Sequence, residues 1–326
     1  MSKSIIGLHH VTAIAGDPQR NVDFYAGVLG LRLVKLTVNF DDPGTYHLYF
    51  GDETGRPGTI LTFFPWPGAQ KGLQGTGQVT TVSFAIPEGA MDYWIDRLRN
   101  AAVDYDGPFD RFEEEVISFN DPDGLQLELV THPGIKTGNP QHGGPVPTEK
   151  AIQGFYGITI SEEGYERTAG LLTATLGFKQ TKEIGSRFRY EIGEGGSGTI
   201  VDVQCLPSWH RGVVAVGTVH HVAWRTHTDE EQREWREEIV EKGYNVTPII
   251  DRRYFHSIYF REPGGVLFEI ATDPPGFAID EPVEQLGTHL MLPPWLEPNR
   301  NKIEMVLPPV RLPAHSGDGK DEQRAA

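Results

Sequence analysis

The chain is nearly without cysteine. One thiol, Cys205, is all that 326 residues offer, which excludes an intramolecular disulfide and a thiolate zinc cluster. It is also short of positive charge: 29 Lys and Arg against 45 Asp and Glu leave a formal net charge of -16. No clustered cations await phosphates, so neither nucleic acid nor an anionic membrane surface is expected as a partner. Long apolar runs are missing as well; none approaches the roughly 18 residues of a spanning helix. The N-terminus, MSKSIIGLHHVTAI, enters strand-like sequence directly, without the pattern of a secretory signal. A cytoplasmic protein is expected, and any metal must be held by His and carboxylates. Hydrophobic residues at 38% and aromatics at 10% suffice for a real core. The length fits two average domains or several repeated units.

Repetition is what the sequence does contain. GLHHVTAI from Gly7, QVTTVSFAI from Gln78, QGFYGITI from Gln153 and TVHHVAWRT from Thr218 are short alternating runs of the half-buried strand type. Each precedes a stretch with helical spacing: Val22, Phe24, Tyr25 and Leu29; Met91, Trp94, Ile95 and Leu98; Ala169, Leu171, Leu172 and Leu176; Trp235, Ile239 and Val240. Gly30, Gly177 and Gly243 follow the last apolar turn of three of them, the usual place of a helix stop. Two strand-like runs about a Gly/Pro turn come next, as in VISFNDPDGLQLELV and SIYFREPGGVLFEIA. The unit is βαβββ, written four times, which predicts an α+β fold. A Gly/Pro-rich linker at 137–150 separates an N-terminal pair of modules (1–136) from a C-terminal pair (151–307). The polar stretch 308–326 is expected to be a disordered tail.

Paired βαβββ modules, strands opening in HHV, and closing hairpins such as FNDPDGLQLEL and FREPGGVLFEI together resemble the vicinal-oxygen-chelate superfamily. That group includes glyoxalase I, fosfomycin-resistance proteins and extradiol dioxygenases. The resemblance spans about residues 5 to 275, and it is nearest to the branch that cleaves hydroquinone-type rings. It implies that the four modules form two open barrels with helices outside. It also implies that metal ligands sit on the first and last strands of a module.

Carried onto this chain, the first-strand position holds His10, Thr81, Gly157 and His221. The last-strand position holds Thr62, Glu128, Asp202 and Glu269, with the separation of Phe260 and Glu269 matching that of Phe119 and Glu128. Modules one and four thus supply His10, His221 and Glu269, and their pairing brings the chain ends into one barrel. Two His and one carboxylate leave coordination positions open, the pattern of non-heme Fe(II) oxygenases. Thr62 stands where an isomerase of the superfamily would need a fourth donor.

Tyr259, at the spacing where the resembled enzymes place a tyrosine, is expected to hydrogen-bond a substrate oxygen. Arg252, with Arg253 as the alternative, would stabilise a phenolate, Thr12 shares the strand face of His10, and His220 is a candidate acid/base. Strand alternation turns His9 and His220 away from the metal unless local twist intervenes. His47 and His256 lie near the hairpins and could line the entrance, though nothing singles them out.

The expected activity is Fe(II)-dependent cleavage of a hydroquinone- or catechol-type ring with O2, Mn(II) or Zn(II) being alternative ions. The partners are then O2 and a small dihydroxy-aromatic, and a homo-oligomer stays open. A glyoxalase-like lyase or isomerase and a non-catalytic, drug-sequestering binding module are the rival readings.

Overall fold

Each of the four segments folds as strand, helix and three strands in the computed structural model, which describes residues 3–135 and 138–313. Module one comprises β1 (Leu8–Ala15), α1 (Pro18–Val22), β2 (Arg32–Asn39), β3 (Asp42–Gly51) and β4 (Ile60–Pro65). Module two has β5 (Gln78–Ala85), α2 (Met91–Asn100), β6 (Tyr105–Arg111), β7 (Glu114–Asn120) and β8 (Gln126–Thr131). Module three has β9 (Gly154–Glu162), α3 (Glu166–Ala174), β10 (Lys179–Ile184), β11 (Arg187–Glu191) and β12 (Ile200–Cys205). Module four has β13 (Thr218–Thr226), α4 (Asp229–Glu241), β14 (Ile250–Asp251), β15 (His256–Arg261) and β16 (Leu267–Thr272). A final helix, α5 (Arg300–Val306), follows three short 3-10 turns. Among the described residues no helix is long and apolar enough to cross a membrane.

The helices begin and end for local reasons. Asp17 caps α1 by accepting the Arg20 amide, with Pro18 in the first turn, and Thr228 caps α4 through the Glu231 amide. Past α1 the chain widens into a π-helical stretch, Asp23–Val28. It then stops at Gly30, whose φ of 67° suits glycine, and where a Cβ would lie 2.5 Å from Val146.

The sixteen strands form two curled eight-stranded half-barrels. One runs β14-β15-β16-β13-β1-β4-β3-β2 and the other β10-β11-β12-β9-β5-β8-β7-β6. Modules one and four make the first sheet, modules two and three the second, so each sheet draws on both sides of the 137–150 segment. At each centre two first strands pair antiparallel, β1 with β13 and β5 with β9, while each module's last strand lies parallel to its first. That parallel register reproduces the fourfold equivalence read from the hairpins: Thr12 faces Thr62, Ser83 faces Glu128, Thr159 faces Asp202 and Ala223 faces Glu269.

The chain after module four closes the first half-barrel. Phe277 and Leu286 pack with Val34, Tyr49 and Tyr254 inside it. Lys35, fully buried on β2, is ion-paired to Asp280 and Glu281, and Arg32 donates to the Val283 carbonyl. Residues 308–313, expected from their composition to belong to a disordered tail, lie against the body instead. Tyr46 donates to the Pro308 carbonyl at 3.0 Å, and Val310 and Leu312 pack on the core. The remainder of that segment, 314–326, lies outside the described residues.

Candidate functional site

Both HHV doublets sit on β-bulges, and this decides where their side chains go. Along the β1–β13 ladder Leu8 pairs with Trp224 and His10 with Ala223, leaving His9 unmatched; Thr12 pairs with His221 and Ala13 with Val219, leaving His220 unmatched. A bulge sets two residues of one strand against one of its partner and re-aims their side chains. Strict alternation therefore fails at these two places. His220 lines the cavity above the site, contrary to the face assigned by period-two counting, whereas His9 stays buried behind His10.

His10, His221 and Glu269 converge. The Nε2 atoms of the two imidazoles are 3.3 Å apart, and Glu269 Oε2 lies 3.2 Å from His10 Nε2 and 3.0 Å from His221 Nε2. All three residues are buried. The neighbouring network assigns the ring protons. His9 Nε2 donates to the Thr272 carbonyl at 3.2 Å, so its Nδ1 is the acceptor in the 2.9 Å contact with His10 Nδ1. His10 thus carries its hydrogen on Nδ1 and presents a lone pair at Nε2. The His220–His221 doublet repeats the Nδ1–Nδ1 contact at 2.8 Å; with His220 as the acceptor, His221 would likewise present a lone pair at Nε2.

Glu269 Oε1 accepts from the Ser257 hydroxyl, while Oε2 is buried and accepts no hydrogen bond. Three facing acceptors repel one another unless a cation lies between them. Two neutral imidazoles and one carboxylate suit a divalent transition metal, so the residues present fit one. Burial, foremost, lowers His221.

Above the triad is a cavity of about 290 Å³, walled by Phe40, Tyr49, Phe64, Trp66, Phe255 and Tyr259, with Arg252, Asp41, His47 and His220 as polar members. Tyr259 is paired with Glu269 across β15 and β16, and its ring meets His221 edge-on with centroids 5.7 Å apart. Arg252 Nε donates to Tyr259 Oη at 3.2 Å and Nη1 to Asp41 at 2.8 Å. Burial above all raises the Tyr259 phenol, keeping it protonated. His220 is lowered to about 3, by burial first and His221 second, and is therefore neutral.

Of the residues singled out from sequence, His10, His221, Glu269, Tyr259, Arg252 and His220 come together here. Thr12 does not face the cavity. It is fully buried, 2.9 Å from Thr62 Oγ1, and Thr62 is in turn 2.8 Å from His47 Nε2. Thr62 is therefore already committed to two neighbours and is no fourth donor. His256 is turned to Asp229 at 2.7 Å. Ser257 escapes a reading of the sequence, whereas His47, expected only as a candidate entrance residue, lines the cavity. Ser257 precedes Tyr259 by two positions on β15, so alternation alone could place its hydroxyl beside Glu269. His47 shares a face with Tyr49 on β3 for the same reason, and Tyr49 Oη lies 2.8 Å from its Nδ1.

Similarity to known proteins agrees with this geometry. The family model of the glyoxalase/bleomycin resistance protein/dioxygenase superfamily matches residues 7–129 and 158–270. The Bacillus subtilis protein named "Putative ring-cleaving dioxygenase MhqO" is 51% identical over 312 residues, 96% of this chain and 99% of that protein. The "Chlorohydroquinone/hydroquinone 1,2-dioxygenase" of Sphingobium indicum is 34% identical over 311 residues, 93% of this chain and 96% of the relative. A crystal structure described as a putative dioxygenase from Bacillus subtilis superposes with a TM-score of 0.91 at 50% identity, covering 96% of this chain and 99% of that one. With two family segments, four modules and a His/His/Glu cluster in the expected half-barrel, the chain belongs to the glyoxalase/bleomycin resistance protein/dioxygenase superfamily.

Proposed function

We propose that the protein is a cytoplasmic, Fe(II)-dependent dioxygenase that opens a hydroquinone- or catechol-type ring with O2. The observation that carries this reading is the set of three facing acceptors, His10, His221 and Glu269, beneath an aromatic-walled cavity. The names of the relatives quoted above support the choice of ring-cleaving chemistry. Thr62, held by Thr12 and His47 where an isomerase would want a carboxylate, argues against the glyoxalase alternative.

Bound to the triad, a ferrous ion would supply the redox chemistry and the Lewis acidity that lowers the pKa of a ring hydroxyl. The chain's own residues do the rest. The aromatic walls bury a flat ring and exclude water. Because Tyr259 Oη accepts from Arg252, its own hydrogen is free to donate to a substrate oxygen over the triad. With its Nδ1 accepting from His221, His220 would offer its Nε2 hydrogen to the cavity as a second neutral donor. Arg252 favours negative charge developing on the ring oxygens.

The test is anaerobic reconstitution with Fe(II), followed by O2 uptake with 2-methylhydroquinone and with catechol, for the wild type and His221→Ala. Iron-dependent uptake with a ring-opened product, absent from the variant, is expected. Tight metal binding without uptake on any dihydroxybenzene would move the assignment to the isomerase class.

A further inference from the structure

Among the described residues, Arg252 and Asp41 are the only side chains lining the cavity that carry a permanent charge, and they are bound to each other. Asp41 sits in the turn between β2 and β3, fixed by its amide donating to the Asn39 side chain at 3.0 Å. Arg252 follows β14. The 2.8 Å contact between Asp41 Oδ2 and Arg252 Nη1 therefore ties module one to module four at the cavity mouth. Arg252 is largely enclosed, at 19% side-chain exposure, while Asp41 is 71% exposed. The carboxylate faces solvent, and the guanidinium is the buried partner, shared between Asp41 and Tyr259.

This arrangement bears on which rings are accepted. A ring carrying a carboxylate needs a cation at the cavity edge, and Arg252 is the cation placed there. Asp41 has already compensated that cation, and an incoming carboxylate would meet it as a like charge. A ring with a methyl or hydrogen substituent meets only the apolar walls of Phe40, Phe64 and Trp66. Resting on the dioxygenase reading above, we propose that Asp41 is a specificity-determining residue that selects uncharged dihydroxy-aromatics over carboxylated ones by neutralising Arg252.

The test is equilibrium binding, by calorimetry without O2, of 2,5-dihydroxybenzoate and 2-methylhydroquinone to the metal-loaded wild type and Asp41→Asn. Asp41 is exposed, so the variant is expected to fold, and an unchanged melting curve checks this. In the variant the affinity ratio should shift toward the carboxylated ring by about fivefold, the size expected for removing one like charge near a protein surface. The shift should shrink at high salt. An unchanged ratio, or equal tightening of both rings, would overturn the role of Asp41 while leaving the dioxygenase reading in place. Failure of the wild type to bind either ring would overturn that reading and this inference together.

Discussion

The two half-barrels share a plan and differ in what balances their buried carboxylates. In the second sheet the bulges recur at the matching places, Thr80 and Tyr156 being the unmatched residues between β5 and β9. The last-strand acids are there too, as Glu128 and Asp202. Instead of imidazoles they face guanidinium groups: Arg111 holds Glu128 with bonds of 2.9 and 2.7 Å, and Arg189 holds Asp202 at 2.7 and 3.0 Å and also Glu114. Arg187 adds a further contact to Asp202 at 3.0 Å. A last-strand carboxylate in this fold needs a cation. One half-barrel brings its own on neighbouring strands, and the other leaves three acceptors facing a space where a metal fits. Bulges alone therefore do not make a metal site; the residues placed on them do.

Four substitutions would break or sharpen that contrast. The largest effect is expected from His221→Ala. It should lower metal affinity by about 100-fold or more, since loss of an outer partner alone typically costs about 10–100-fold. The rise in melting temperature on adding metal should vanish with it, as metal analysis and thermal scans would report. Arg189→Met probes the other side. Taking Arg189 from the buried Glu114 and Asp202, the latter keeping Arg187, should cost about 3 kcal/mol in denaturant unfolding, with metal content per folded molecule unchanged. Equal damage to metal content would show that the halves are not separable in this way. Tyr259→Phe removes one donor above the triad and should lower kcat about tenfold, with metal binding retained.

The smallest effect concerns the seam between the sheets. Glu162, at the end of β9, lies beside Glu262 beyond β15, and its carboxyl is raised to about 8 by burial first and Glu262 second, Arg211 opposing. A folded-state pKa above the unfolded value of 4.5 means that the folded protein holds this proton more tightly. Stability from this group is complete below about 4.5 and is lost as pH rises through about 8. Glu162→Gln should flatten that decline, raising the melting temperature at pH 8.5 by about 3 °C. An undiminished decline in the variant would place the titration elsewhere.

Much of the fold is legible in the sequence because it is local. Alternating runs, helix stops and hairpin lengths repeat within each module, so the equivalence of Thr62, Glu128, Asp202 and Glu269 can be counted along the chain and reappears in the register. Pairing between distant segments is harder to read. HHV looks the same whether or not its strand bulges, because a bulge belongs to two strands and the sequence shows only one. His220 thus reaches the cavity only as an exception to alternation, and Thr12, which alternation favours, is held by Thr62. The arginines of the second half-barrel are hidden for a similar reason: Arg111, Arg187 and Arg189 read as ordinary strand charges until the sheet curls. The segment 273–313 has no periodicity that reveals Phe277 and Leu286 as the plug of the first half-barrel.

The pairing of module one with module four also sets a timetable for biosynthesis. His10 and His221 are 211 positions apart. At about 5–20 residues per second, a ribosome needs roughly 10–40 s to cover that interval. For that time β1 waits without its antiparallel partner, while modules two and three, contiguous in the chain, can complete their own sheet. Metal capture is then a late event, gated by emergence of β13 and β16. A nascent chain interrupted before them would hold one imidazole of the triad and no carboxylate, and would stay inert toward both metal and oxygen.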